Sequence, residues 1–215
     1  MAIATAVTKA ILSYRDVEAQ FGLQRSPDSN FFPEWQGSLP ELTVSEAQTL
    51  ERLQQRYLRY LEAGEVSEGT LNLIMLAPLL DGLGLCDPPY SVKGETWVRV
   101  QTETEDESGR LVLEGRIDAL TILGRLWLTV IEGKRGGFNV IQAVPQLLTY
   151  MMGSPRSERP VFGVATNGYD FLFVKLVREP ERRYGLSHNF TLLSDEQHDL
   201  RQVRRVLKQL VQLSR

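Results

Sequence analysis

The apolar positions of this chain change period along its length, and each period predicts an element. Between residues 43 and 62, Leu50, Leu53, Tyr57 and Leu61 recur at steps of three or four, the spacing of an amphipathic helix. Thr43 with Glu46, or Ser45 with Gln48, is spaced to form a capping box at its start. Residues 71–80 are apolar nearly all round and predict a buried helix that Pro78 kinks or ends, with Gly82 and Gly84 breaking the pattern. The period then shortens to two. Residues 96–103, 111–123 and 126–132 read as three strands, turned at Asp106-Glu107-Ser108-Gly109 and at Leu123-Gly124-Arg125. Together they predict an antiparallel meander. Residues 139–152 return to helix, 161–166 form a short buried strand, and Asn167-Gly168 turns the chain into a return strand over 170–177. Ser194 and Gln197 are placed to cap a last helix with Leu200, Val203, Leu207, Leu210 and Val211 on one face.

This order predicts an α/β (α+β) fold, with a central mixed sheet that contains the three-strand meander and is flanked by helices. Residues 1–64, helical and polar, are expected to form an N-terminal extension packed on a core domain over 65–215. A turn at Ser26-Pro27-Asp28-Ser29-Asn30 precedes Phe31, Phe32 and Trp35, which read as anchors of that extension, with base stacking as the alternative.

Composition narrows the function classes. With 42% hydrophobic and 24% charged residues, the chain is an ordinary globular sequence. It has no apolar run long enough to span a membrane and no secretory leader, so a cytoplasmic location is expected. One cysteine, Cys86, excludes an internal disulfide and a cysteine-rich zinc site; two histidines, His188 and His198, argue against a histidine-rich metal site. The net charge of −3 is uneven. From Lys175 onward nine Lys and Arg face five Asp and Glu, leaving −7 on the rest. That basic segment is either a solvated helix face or a surface for phosphates.

The candidate chemistry lies at two strand ends. Gly115-Arg116-Ile117-Asp118 closes the second predicted strand, and Val130-Ile131-Glu132-Gly133-Lys134-Arg135 closes the third. Unpaired charges are costly in an apolar setting, so carboxylates and a lysine there point to a site. Alternation puts Glu132 and Lys134 on one strand face, about 6–7 Å apart. Asp118 and Glu132, with the main-chain carbonyl of Gly133, offer hard oxygens suited to Mg²⁺ or Mn²⁺. Lys134 is placed to orient a water or to stabilise charge growing on phosphorus. The competing reading is a surface hairpin with ordinary cross-strand ion pairs.

Asp118 followed by Glu132-Gly133-Lys134 resembles the PD-(D/E)xK nuclease superfamily, whose restriction-endonuclease-like core runs helix, three-strand meander, helix, strand. Gln146 and Tyr150, one helical turn apart in Gln146-Leu147-Leu148-Thr149-Tyr150, resemble the Gln-x-x-x-Tyr motif of RecB-type nucleases and of the N-terminal nuclease domain of type I restriction R subunits. The likeness covers about residues 65–177 and is nearest to small restriction-endonuclease-like proteins common in cyanobacteria. The proline of the superfamily's name is absent: Arg116-Ile117 precedes Asp118. The resemblance implies a Mg²⁺-dependent (or Mn²⁺-dependent) nuclease acting on DNA, with metal ligands Asp118, Glu132, Gly133 and an accessory Glu68, for which Glu65 competes. It implies catalytic roles for Asp118, Glu132, Lys134, Gln146 and Tyr150, and nucleic-acid contacts from Arg135, Gln142, Gln146 and Tyr150. Thr166-Asn167-Gly168 reads first as a hairpin turn and second as a DNA contact. A homodimer, or a larger restriction or repair complex, is the assembly such domains use to cut both strands. No phosphate-binding loop of a motor is present. The alternatives are a catalytically silent nucleic-acid-binding domain on the same fold and a protein-interaction module built on the N-terminal helices.

Overall fold

The computed structural model describes residues 4–64, 66–93, 96–106, 109–117, 120–122, 126–130, 139–154, 158–193 and 199–213. The chain opens with strand β1 (Ala4–Ala6) and helices α1 (Val7–Ala10) and α2 (Tyr14–Phe21), followed by the two-residue strand β2 (Gln24–Arg25). Helix α3 (Val44–Ala63) starts at the Thr43/Glu46 capping box: Glu46 N–H donates to Thr43 Oγ1 and Thr43 N–H donates to Glu46 Oε2. Leu50, Leu53 and Tyr57 are its buried stripe.

The stretch predicted as one buried helix is three segments: α4 (Glu68–Leu71), a π-helical turn (Asn72–Leu76) and α5 (Ala77–Asp81). Ala77 N–H reaches back to Asn72 O, and the wider turn accommodates the missing N–H and bulky ring of Pro78. Leu73 is 75% exposed, so this element is buried on one side only.

Strands β3 (Ser91–Lys93), β4 (Thr96–Asp106), β5 (Gly109–Ile117), β6 (Leu120–Ile122) and β7 (Leu126–Val130) come next, then a 3-10 turn (Val140–Ala143) and α6 (Val144–Met152). Strands β8 (Val161–Thr166), β9 (Asp170–Val177) and β10 (Arg183–Thr191) precede the final helix α7 (Asp199–Leu213). The fold is mixed α/β with two mixed sheets. One is ordered β2-β10-β9-β8-β7, the other β1-β5-β4, and β3 pairs with β6.

Of the expected meander, β4 and β5 make the antiparallel hairpin; β6, within the second predicted strand, pairs with β3 and lies beside β7. The residues joining β5 to β6 and β6 to β7 lie outside the described residues. β7 joins the other sheet, parallel to β8. The reason is the connection: the segment carrying α6 is a crossover, which permits parallel pairing, and β8 is buried at all six positions, as a strand covered on both faces must be. β1, β2, β3 and β10 were not legible as strands; the first three are too short for a period to show.

Alternate residues of β8 and β9 serve two cores. Phe162, Val164, Phe171 and Phe173 join α3, α5 and α7, whereas Val161, Ala165, Leu172 and Val174 join α2, α6 and the inner face of β4–β5. The 64 N-terminal residues contribute to both: Val7, Ile11, Val17 and Phe21 to one, Leu50, Leu53 and Tyr57 to the other. Phe32 is buried and stacks on Phe162, and Trp35 meets His188 edge-on at 4.6 Å. Phe32 and Trp35 thus act as internal anchors, as first expected.

α7 buries Leu200, Val203, Leu207, Leu210 and Val211 as predicted; Ser194 and Gln197 lie outside the described residues. The basic C-terminal segment is bonded to the protein itself. Lys175 pairs with Glu34 at 2.6 Å, Arg178 donates to Met152 O and Ser154 O, and Arg182 donates to Phe21 O. Buried Arg204 donates to Leu79 O, Gly82 O and Glu46, while Arg205 donates to Leu39 O and Pro40 O. These described cations are spent on the protein's own oxygens, tying α7 and the sheet to the N-terminal residues, to Leu79 and Gly82, and to the end of α6.

Glu46 carries part of this staple. The Thr43 N–H, helped by Arg204 and Lys208, holds its carboxyl down at about 2, below its ordinary value of 4.5. A depressed folded-state pKa contributes stability that is present above pH 4.5 and lost as pH falls towards 2. Glu46→Gln is therefore expected to lower stability at pH 7 and to flatten its decline over that acid window, read by urea unfolding across pH. No helix among the described residues is long and apolar enough to cross a membrane.

Candidate functional site

The chain leaves β5 at Ile117 and β7 at Val130, so Asp118 and the run Glu132-Gly133-Lys134-Arg135 follow two strand ends in sequence. These five residues, and Glu65, lie outside the described residues. The elements around those strand ends are described.

Helix α6 touches both strands that lead to the motif. It is the crossover between β7 and β8, and it packs on β4, β7, β8 and β9. Pro145 occupies its first turn, where a missing N–H costs nothing, and buried Thr149 returns its hydroxyl to Pro145 O at 3.0 Å. Tyr150 is not on a polar helix surface: it is 3% exposed and its ring lies over Gly115 of β5. A Cβ on Gly115 would stand 2.7 Å from Tyr150 Cε1 and 2.9 Å from Cζ, so only glycine leaves room for this ring. Gly115 is three residues before Asp118. Gln146, one turn earlier on α6, is half-buried, and Gln142 is exposed on the preceding 3-10 turn.

The other wall is the β8–β9 turn. Val130, the last residue of β7, is in register with Thr166, the last of β8. Thr166 Oγ1 accepts from Gly168 N–H at 2.9 Å, and Asn167 Oδ1 accepts from Tyr169 N–H and Asp170 N–H at 3.2 and 2.8 Å. These contacts make the hairpin turn the role of Thr166-Asn167-Gly168, as first expected. Tyr57 of α3 donates its hydroxyl to Asn167 O at 3.0 Å, and burial pushes its pKa up to about 12, so it stays a donor at all ordinary pH. Gly168, at φ +96°, fits between Tyr57 and Leu71. Glu68, half-buried at the start of α4, precedes Leu71 by three residues and shares its helix face, the face turned to this hairpin.

Gly115 and Tyr57 were not singled out from sequence. An isolated glycine inside a strand signals a close approach, and Gly115 carries that signal. Tyr57 carries none, because it reads as one more position of an apolar stripe.

Two carboxylates and a main-chain carbonyl are a hard-oxygen donor set that fits Mg²⁺ or Mn²⁺. Among the described residues, no three His, Cys, Asp or Glu side chains gather to hold an ion, and the candidate ligands Asp118, Glu132 and Gly133 are not among them. No family model and no curated protein matches the chain.

Proposed function

We propose that this protein is a Mg²⁺-dependent nuclease that hydrolyses DNA phosphodiester bonds, of restriction or repair type, on a restriction-endonuclease-like core. The observation that supports the reading best is the seat of Tyr150 over Gly115. It joins the helix bearing Gln146 and Tyr150 to the strand that runs into Asp118, and the same helix packs on the strand that runs into Glu132.

In this reading Asp118, Glu132 and the Gly133 carbonyl hold the ion, with Glu68 accessory. The bound ion would lower the pKa of a water and polarise a phosphoryl oxygen. Lys134 orients the attacking water and meets negative charge on the phosphate. Gln146 positions the strand, buried Tyr150 holds α6 against β5 so that Gln146 is placed, and Arg135 and Gln142 contact the strand's backbone.

The test is cleavage of plasmid and of single-stranded DNA with Mg²⁺ or Mn²⁺. Lys134→Ala and Asp118→Ala are expected to lower the rate by at least about a hundredfold while leaving the folded state intact. Equal rates in wild type and both variants would remove these residues from the site. DNA binding that survives chelation, with no cleavage under either ion, would mark a silent nucleic-acid-binding domain.

A further inference from the structure

Each described lysine and arginine from Lys175 to Lys208 bonds to an oxygen of the protein itself. Helix α3 is different. Its Arg52, Arg56 and Arg59 are exposed and stand at i, i+4 and i+7, the spacing of one helix face. The buried stripe of Leu50, Leu53 and Tyr57 takes another side of the helix. No carboxylate among the described residues pairs with any of the three arginines. Glu51 is turned to Arg201 of α7 at 3.8 Å, and Glu62, three residues after Arg59, is exposed without meeting it. Arg52 donates to Thr49 Oγ1 of its own helix at 3.3 Å.

A solvated helix face usually mixes its charges, because like charges three or four residues apart repel. Here Arg52 with Arg56, and Arg56 with Arg59, carry that repulsion, and no acid of the fold offsets it. An anion from outside would. The stripe is about 10 Å long at 1.5 Å per residue, and its planar guanidinium forks suit phosphate oxygens. The apolar side of α3 is spent in the core, so the helix has nothing to insert into a lipid surface. A single strand asks for a series of aromatic platforms, and the stripe has one exposed ring, Tyr60, at its edge. A duplex, with one negative charge per ~1.7 Å of its axis, is the denser phosphate array. The stripe also lies beside the candidate site. Tyr57, between Arg56 and Arg59 in sequence, fastens α3 to Asn167 O of the β8–β9 turn at 3.0 Å, and the adjoining Thr166 is in register with Val130 at the end of β7.

We infer that Arg52, Arg56 and Arg59 form a docking surface for the phosphate backbone of duplex DNA, which makes duplex the substrate class of the neighbouring site. This deepens the nuclease reading and rests on it for the choice of nucleic acid as partner. The contacts are to phosphates, so they position the duplex and carry no base preference.

The experiment is fluorescence anisotropy of the full chain with a labelled duplex over a series of salt concentrations, in excess chelator so that nothing is cut. Oligo-dT and vesicles of phosphatidylserine with phosphatidylcholine are the comparison ligands. Wild type is expected to bind duplex more tightly than oligo-dT, with affinity falling as salt rises. The triple variant Arg52→Gln, Arg56→Gln, Arg59→Gln should flatten the slope of log K against log salt by about 0.9 per charge removed, and should weaken duplex binding at least about tenfold near physiological salt. Arg183→Gln removes a charge already paired to Glu181 at 2.8 Å and should leave the slope unchanged. Because the three side chains are exposed and repel one another, the circular-dichroism melt of the triple variant should match wild type or lie above it. Wild type that ignores duplex, an unchanged slope in the triple variant, tighter binding of oligo-dT, or a stripe that holds vesicles and not duplex would each overturn the inference. Cleavage by Lys134→Ala is scored separately: if that variant cuts normally while the triple variant loses duplex, the docking surface stands and the catalytic assignment fails.

Discussion

Gly168→Ala is expected to destabilise the protein by about 2–5 kcal/mol, the sum of a left-handed backbone position and an overpacked contact. Gly168 has φ +96°, where a Cβ is strained whatever the space around it. Here there is no space: the added Cβ would stand 2.5 Å from Tyr57 Cζ and 2.6 Å from Leu71 Cδ1, both on buried residues. Neither neighbour can yield easily, because Tyr57 is bonded to Asn167 O and Leu71 belongs to the core under the π-helical turn. The measurement is the urea midpoint at unchanged slope. Adding Tyr57→Phe to Gly168→Ala should recover part of the loss, since the phenolic oxygen is the nearest clash; strictly additive losses would show that the clash with that oxygen contributes nothing to the cost.

The second expectation concerns activity. Gly115→Ala should lower the rate of the proposed metal-dependent cleavage by about a hundredfold, since ångström-scale misplacement of a positioning group costs that much. A Cβ there enters the space of the Tyr150 ring, which has α6 behind it and cannot withdraw without leaving its buried seat. The accompanying loss of stability should be about 1–3 kcal/mol, as for other overpacked sites. Rates measured well below the melting temperature, with the folded fraction checked, separate the two effects. A folded Gly115→Ala protein that cuts at the wild-type rate would mean that the position of Tyr150 does not matter to the chemistry.

The two glycines show where sequence reading stops. Asn167-Gly168 is legible as a turn because its chemistry is local: two residues set the backbone of the hairpin. That the same glycine must admit Tyr57, 111 positions earlier in the chain, is not local and leaves no pattern around it. Gly115 gave a weak hint, a glycine inside a strand, and only Tyr150 explains it. The capping box at Thr43, the apolar stripe of α7 and the buried strand β8 were readable for the same reason as the turn. Each depends on residues within one or two turns of one another.

Charge was the least readable property. A surplus of bases from Lys175 onward has the same composition whether it faces water, phosphate or the protein's own carbonyls. Arg204 and Arg205 settle on Leu79, Gly82, Leu39 and Pro40 because tertiary packing brings those oxygens to them. The parallel partner of β7 was unreadable on similar grounds: its composition is that of a hairpin strand, and only the α6 crossover brings it beside β8.

By itself, then, the sequence determined the periodic elements, the local caps and turns, and a set of residues whose types suit metal-dependent phosphodiester chemistry. Local propensity and side-chain chemistry suffice for those. Tertiary structure alone decided which strands pair, which glycine receives which ring, which bases are already bonded, and that Trp97 faces water while Val98 does not. Those outcomes depend on contacts between residues far apart in the chain, where the partner is selected by shape and burial and not by anything written beside it.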